Sequence, residues 1–115
     1  MPLLRIQTNI TIEAAAEQAI LKQLSATVAH QLGKPEGYVM VMLEGGKAMF
    51  FAANDAPTAY LELKSLGLPQ ETTPSLSAAL CEAISQQLSI PADRIYIEFS
   101  SPPRHMWGWN HTTFG

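Results

Sequence analysis

The sequence QLGKPEGYVMV at residues 31–41 has a counterpart, QLSIPADRIYI, at residues 87–97. The two stretches share Gln-Leu, a proline and a strand-like run after it. At the same offset of 56, the run at Leu3–Ile6 aligns with Ala59–Glu62. A repeat of this length indicates two copies of one β-α-β unit, and such a chain packs two helices on one face of a sheet. We therefore predict an α+β fold, a two-layer sandwich with a four-stranded mixed sheet.

Both repeats contain an amphipathic helical pattern between their strands. In the first, Thr11 is the predicted N-cap, Glu13 lies in the first turn and Gly33 ends the helix. In the second, Thr73 is the predicted cap and Pro74 occupies the first turn. Every fourth residue is apolar on each helix, which is typical of a core-facing stripe: Ala16, Ile20, Leu24, Val28 and Leu32, then Leu76, Leu80, Ile84 and Leu88.

Strand and turn signals complete each repeat. Val39–Leu43 and Ile95–Phe99 are predicted strands, and the first is continuously apolar, which favours a buried position. Turns are predicted at Gly45-Gly46 and at Asn54–Pro57, and a short strand is predicted between them at Lys47–Ala53. The predicted organisation is one domain, 1–115, with a pseudo-repeat of about 2–56 and 57–115.

The C-terminal segment, residues 101–115, is aromatic but has no helical period. We expect it to pack on a neighbouring subunit. Because helices on one face leave the other face of the sheet bare, we also predict a homo-oligomer in which bare sheet faces meet.

Composition excludes several classes of function. Of the 115 residues, 47% are apolar and only 15% are charged, and the net charge is −3. This balance argues against nucleic-acid and anionic-membrane binding, both of which need clustered Lys and Arg. No membrane-span-length run or leader is apparent, so a cytoplasmic protein is expected. The single Cys81 has no partner, and the three histidines form no metal-ligand pattern, so no metal site is predicted.

Pro2 precedes the first strand, and two interpretations of it are open. If Met1 is removed, Pro2 becomes a secondary amine that titrates near pH ~8, and desolvation or a nearby cation lowers its pKa enough for it to act as a base. Alternatively, Pro2 only begins the strand, where its missing N–H costs no ladder hydrogen bond.

Taken together, the motifs resemble the macrophage migration inhibitory factor family of the tautomerase superfamily. The resemblance covers essentially the whole chain and is carried by Pro2 before a strand, Gly33-Lys34-Pro35, Ser65-Leu66-Gly67, Asp93–Ile97 and Gly108–Phe114. It implies a trimer whose sheets line a central channel, with active sites at subunit interfaces. It also implies keto–enol tautomerisation of phenylpyruvate-like and dopachrome-like compounds, without a cofactor, by the N-terminal proline.

The resemblance assigns substrate-binding roles to several residues. Lys34 matches the family's carboxylate-binding lysine, although alone it fits a solvated lysine at a helix C-terminus. Ser65 and Leu66 are expected beside the substrate, Leu66 as an apolar wall. Tyr96 matches a tyrosine that the adjacent subunit supplies, although a strand tyrosine alone fits a core position.

The remaining predicted pocket residues include two departures from the family. Trp109 and Phe114 match the family motif, whereas Trp107 replaces a smaller aliphatic residue and narrows the predicted pocket mouth. Glu98 replaces an asparagine found in many relatives. It is expected to disfavour acidic substrates, raise the pKa of Pro2, or pair with a cation such as Arg104; a solvent-facing carboxylate is the remaining interpretation.

Three functions follow as hypotheses. The first is a cofactor-independent tautomerase. The second is a cytokine-like protein that binds a receptor, with leaderless secretion as the family suggests. The third is a structural trimer with a vestigial pocket, which a retained Met1 would favour.

Overall fold

The computed structural model describes all 115 residues. The first repeat folds as β1 (Leu3–Thr8), α1 (Ala14–Leu32) and β2 (Met40–Glu44), and the second as β3 (Ala59–Lys64), α2 (Thr73–Leu88) and β4 (Ile95–Ser100). A short hairpin of β5 (Gly108–Trp109) and β6 (Thr112–Thr113) follows. Neither helix combines the length and apolar content needed to cross a membrane.

The four long strands form one mixed sheet in the order β2-β1-β3-β4. Within each repeat the two strands are parallel and joined by their helix, whereas β1 and β3 are antiparallel and join the repeats at the centre. The predicted fold class is therefore confirmed. Because β1 and β3 run in opposite directions, the start of β1 lies beside the end of β3.

The core fills the space between the sheet and the two helices. Strand residues on this side alternate with partly exposed ones, as a half-buried sheet requires; Leu4, Ile6, Leu61 and Leu63 are all at most 1% exposed. The stripe on α2 is buried as predicted. On α1 only Ile20, Leu24 and Val28 are buried, since Ala16 is exposed and Leu32 is only partly covered.

The helix ends agree with the sequence prediction at α1's C-terminus but not at the N-termini. Gly33 ends α1 in the left-handed conformation, with φ of 62°. The N-cap of α1 is Glu13 and not Thr11, and Ile12 between them packs against the core. The N-cap of α2 is Thr72 and Thr73 is already helical, although Pro74 lies in the first turn as predicted.

Two strand predictions are wrong. β2 is an edge strand, not a buried one, and its Met40 is 61% exposed, because the apolar run has a helix on one side only. Lys47–Ala53 forms no strand, and the only pairing there is an isolated bridge between Phe51 and Asn54. Arg94 instead holds this loop, since its guanidinium donates to the carbonyl oxygens of Phe51, Ala56 and Pro57 at 2.9–3.0 Å.

The sheet surface that faces away from the helices, here called the open sheet face, is arranged in rows across the strands. Arg5 lies in the middle row, 3.1 Å from Glu44 and 3.8 Å from Glu62. The strand register places three such rows side by side: Met40, Leu3, Lys64 and Ser100; Met42, Arg5, Glu62 and Glu98; Glu44, Gln7, Tyr60 and Tyr96.

Candidate active site

A cleft of about 730 Å³ lies at the N-terminal end of β1. Its size is within the range of small-molecule sites, and nine of its fifteen lining residues are hydrophobic. It is lined by Met1, Pro2, Leu3, Gly37, Tyr38, Val39, Met40, Lys64, Ser100, Pro102, Met106, Trp107, Gly108, Trp109 and Phe114.

Pro2 is buried at this position and is fixed by the strand that follows. Its carbonyl oxygen accepts a hydrogen bond from the Met40 N–H at 3.0 Å, which ties the chain start to β2. With Met1 present, the terminal amine belongs to Met1. Burial, and then the positive charges of Lys34 and Arg104, lower the pKa of this α-amine. The same surroundings would act on a Pro2 amine if Met1 were absent, because it would lie one residue further into the same cleft.

Three aromatic rings form one wall of the cleft. Trp109 and Phe114 stack at 5.7 Å between ring centroids, and Tyr38 meets them edge-on at 5.5 and 6.3 Å. The C-terminal segment is held in place by a hydrogen bond from the Phe114 N–H to the Trp107 carbonyl (3.2 Å) and by one from Arg104 Nε to the Phe114 carbonyl (3.0 Å). This segment therefore packs on its own chain, and the predicted packing on a neighbour is not needed to order it.

Lys34, Ser65 and Leu66 lie close to one another, and none of them lines the cleft. The half-buried Lys34 donates from Nζ to the Leu66 carbonyl oxygen at 3.1 Å. The Ser65 hydroxyl is buried without a hydrogen-bond partner, and Leu66 is 1% exposed. Only Lys34 acts on the amine from here, through its charge.

Tyr96 and Glu98 are remote from the cleft of their own chain. Tyr96 lies in register with Tyr60 and Gln7. Gln7 is four residues along β1 from Leu3, which places this row roughly 13 Å along the strand from the cleft. Its side chain is 65% exposed, and its ring packs on Phe51 with centroids 4.7 Å apart. If this ring contributes to a cleft, as the family resemblance implies, that cleft would belong to a second copy of the chain.

Glu98 lies in the middle row of the open sheet face, in register with Glu62. It forms no ion pair, and the proposed partner Arg104 binds the Phe114 carbonyl instead. Within one chain Glu98 is therefore an exposed strand carboxylate, which is one of the interpretations its sequence context allows.

Sequence reasoning missed Tyr38, Lys64 and Ser100 as cleft residues. Tyr38 lies in the aligned repeat, but only the fold shows that its ring meets the C-terminal segment. Lys64 directly precedes the Ser65-Leu66 motif and lies in register with Leu3. Its place in the cleft follows from the antiparallel pairing of β1 and β3, which a repeat alone does not specify.

A duplicated β-α-β fold with its terminal amine in an apolar, electropositive cleft defines a tautomerase-superfamily protein. The family described as "Macrophage migration inhibitory factor (MIF)" matches residues 1–115. The chain belongs to this family, whose members are in general tautomerases with isomerase or cytokine-like functions.

Individual relatives agree over their full length. The macrophage migration inhibitory factor homolog of Brugia malayi is 38% identical over all of both chains, and the factor of Mus musculus is 30% identical over 99% of both. The crystal structure of the Prochlorococcus marinus homologue matches with a TM-score of 0.92 and 46% identity, over 98% of this chain and 99% of that one. The Trichinella spiralis structure gives 0.89 and 32%, over 97% and 99%.

Proposed function

We propose that this protein is a cofactor-independent keto–enol tautomerase that acts on phenylpyruvate-like substrates, and on dopachrome-like ones, with Pro2 as the catalytic base. The observation that carries the proposal is the terminal amine, that of Met1, in the apolar cleft, where burial and two cations lower its pKa. The Pro2 amine would take its place in these surroundings once Met1 is removed. A general base works best when its pKa lies near the working pH. Removal of Met1 is a requirement of this proposal, because an amide nitrogen cannot accept the proton.

In the proposed reaction, the neutral Pro2 nitrogen takes a proton from the carbon beside the substrate's ketone. The C–H electron pair forms the carbon–carbon double bond of an enolate, and protonation of the enolate oxygen gives the enol. The reverse sequence gives the ketone. Lys34 does not line the cleft, so this proposal requires its ammonium group to turn from the Leu66 carbonyl into the cleft. There it would hold the substrate carboxylate, and its charge would also stabilise the developing enolate.

The cleft supports an aromatic substrate. Trp109, Phe114 and Tyr38 offer ring surfaces on which a flat phenyl group can stack. Trp107 lines the same cleft and would narrow its mouth. The proposed site is completed in a homotrimer, where Tyr96 of one copy would reach the cleft of the next.

The test is phenylpyruvate tautomerisation by protein whose intact mass shows that Met1 is absent. Pro2→Gly, which keeps a terminal amine but makes it primary and less constrained, should lower kcat/KM at least about a hundredfold, since general-base catalysis contributes about 10²–10⁴-fold. Protein that retains Met1 should be similarly inactive, which provides a second control with an unchanged fold. Undiminished turnover in Pro2→Gly would refute the assigned base.

A further inference from the structure

Lys64 is the only charged side chain that lines the cleft. It is the last residue of β3 and lies on the open sheet face, between Leu3 of β1 and Ser100 of β4. Since neighbouring strands are about 5 Å apart, this register sets the lysine beside Leu3, near the chain start. No aspartate or glutamate lines the same cleft.

Lys64 also lacks a partner that would neutralise its charge. It takes part in no ion pair and no side-chain hydrogen bond, although it is half-buried. The nearest carboxylate along its strand face, Glu62, is already engaged by Arg5 and by the Tyr60 hydroxyl, which donates to it at 3.1 Å. A partly buried ammonium group without a counter-charge favours an anionic ligand.

Lys34 approaches the chain start from a different direction. It lies at the end of α1 in the helix layer, where its ammonium donates to the Leu66 carbonyl. Lys64 lies in the sheet and faces away from the helices. The two lysines therefore lie in different layers of the fold, and of the two only Lys34 contributes to lowering the pKa of the terminal amine. We therefore assign them to two different carboxylates.

We propose that Lys64 forms a second anion-binding position, so that the preferred substrates are aromatic α-keto acids with a second carboxylate. This inference rests on the proposed function, because it assigns the first carboxylate to Lys34 and the reacting carbon to Pro2. The aromatic wall formed by Tyr38, Trp109 and Phe114 binds the ring between the two acidic ends. The second carboxylate accepts hydrogen bonds from the Lys64 ammonium group.

The kinetic test compares 4-carboxyphenylpyruvate with phenylpyruvate on Met1-free protein. The dianion should have the higher kcat/KM, and its advantage should shrink as ionic strength rises. Lys64→Met should reduce the ratio of the two kcat/KM values about tenfold, the low end expected for loss of a hydrogen bond to a charged group. Lys64→Arg should retain the preference, and Lys22→Met, an exposed lysine outside the cleft, should leave both substrates unaffected.

A binding measurement separates this inference from the proposed chemistry. Calorimetric titration with the unreactive pair cinnamate and 4-carboxycinnamate needs no turnover. If the dianion binds more tightly and this advantage is lost in Lys64→Met, the second anion-binding position is supported. This holds even if phenylpyruvate is not converted, in which case only the proposed function fails. Equal affinity for the two ligands, or an advantage that survives in Lys64→Met, overturns the inference; a second copy's Glu98 neutralising Lys64 would produce that result.

Discussion

The positive charge of Arg104 acts on the reactive position without lying on the cleft wall. Together with burial and Lys34 it lowers the pKa of the terminal amine. A like charge disfavours the protonated amine, so removing it lets the amine keep its proton to higher pH. Arg104→Gln in Met1-free protein is therefore expected to move the acid limb of the pH dependence of kcat/KM to higher pH and to lower activity near neutrality.

The control for this prediction is Arg104→Lys. Both substitutions remove the Arg104 Nε that donates to the Phe114 carbonyl, but only lysine keeps the charge. The two variants thus separate electrostatics from the support that Arg104 gives to the C-terminal segment. An acid limb that shifts equally in both, or in neither, would show that the charge of Arg104 does not set the amine's pKa.

At the scale of elements, the two helices end alike but with different residues. Gly33 after α1 and Ser89 after α2 occupy equivalent places in the repeat, and both are left-handed, with φ of 62° and 57°. Only glycine adopts this conformation without strain, and other residues lose roughly 1–2 kcal/mol. Ser89→Gly should therefore raise the free energy of unfolding. The increase should be at most about 1 kcal/mol, because the greater freedom of glycine in the unfolded chain offsets part of the relieved strain.

The reciprocal variant, Gly33→Ser, should lower the free energy of unfolding by about 1 kcal/mol. A side-chain carbon at Gly33 would meet no atom within 4 Å, so the loss would come from backbone strain alone. Urea denaturation at one fixed protein concentration measures both variants, because subunit association makes apparent stability depend on concentration. Destabilisation by Ser89→Gly would contradict the explanation.

The same elements show how far the sequence could predict the fold. The apolar stripes predicted the two helices because helical spacing is a local property of the sequence. The repeat then predicted that each helix lies between two strands of one sheet. Edge exposure of β2 was not predictable, since an apolar run such as Val39–Leu43 does not reveal how many strands flank it. The loop at Lys47–Ala53 is held by Arg94, which lies about forty residues away in sequence, so no local pattern could identify it.

The candidate site was predictable only in part for a similar reason. Pro2 was a candidate from its position before the first strand, and the family resemblance added Trp107, Trp109 and Phe114. All four line the cleft. Lys64 was missed because its position depends on the antiparallel register with Leu3. Ser65 and Leu66 were predicted beside the substrate, yet β3's alternation turns Ser65 toward the buried side with Leu63.

At the scale of the whole molecule, one chain separates two residues that the proposed chemistry brings together. Pro2 is at the start of β1, whereas Tyr96 lies in register with Gln7, near its end. The exposed Tyr96 ring is therefore available to a second copy, and the open sheet face offers the surface through which copies would meet. The expected assembly is a trimer of three times the 12.5 kDa chain mass, measurable by sedimentation.

Shared sites make a sharper prediction than mass alone. Pro2→Gly and Tyr96→Ala homotrimers should each be impaired, because every site lacks one group. Suppose that each site combines Pro2 of one copy with Tyr96 of the next. Co-refolding the two variants in equal amounts should then return about a quarter of the wild-type activity, because a quarter of the sites in a randomly mixed cyclic trimer have both groups intact. Native mass spectrometry would establish that mixed trimers had formed. If such trimers are no more active than the average of the two parents, each site is built within a single chain. Tyr96 would then be a packing partner of Phe51 and not a substrate-binding residue.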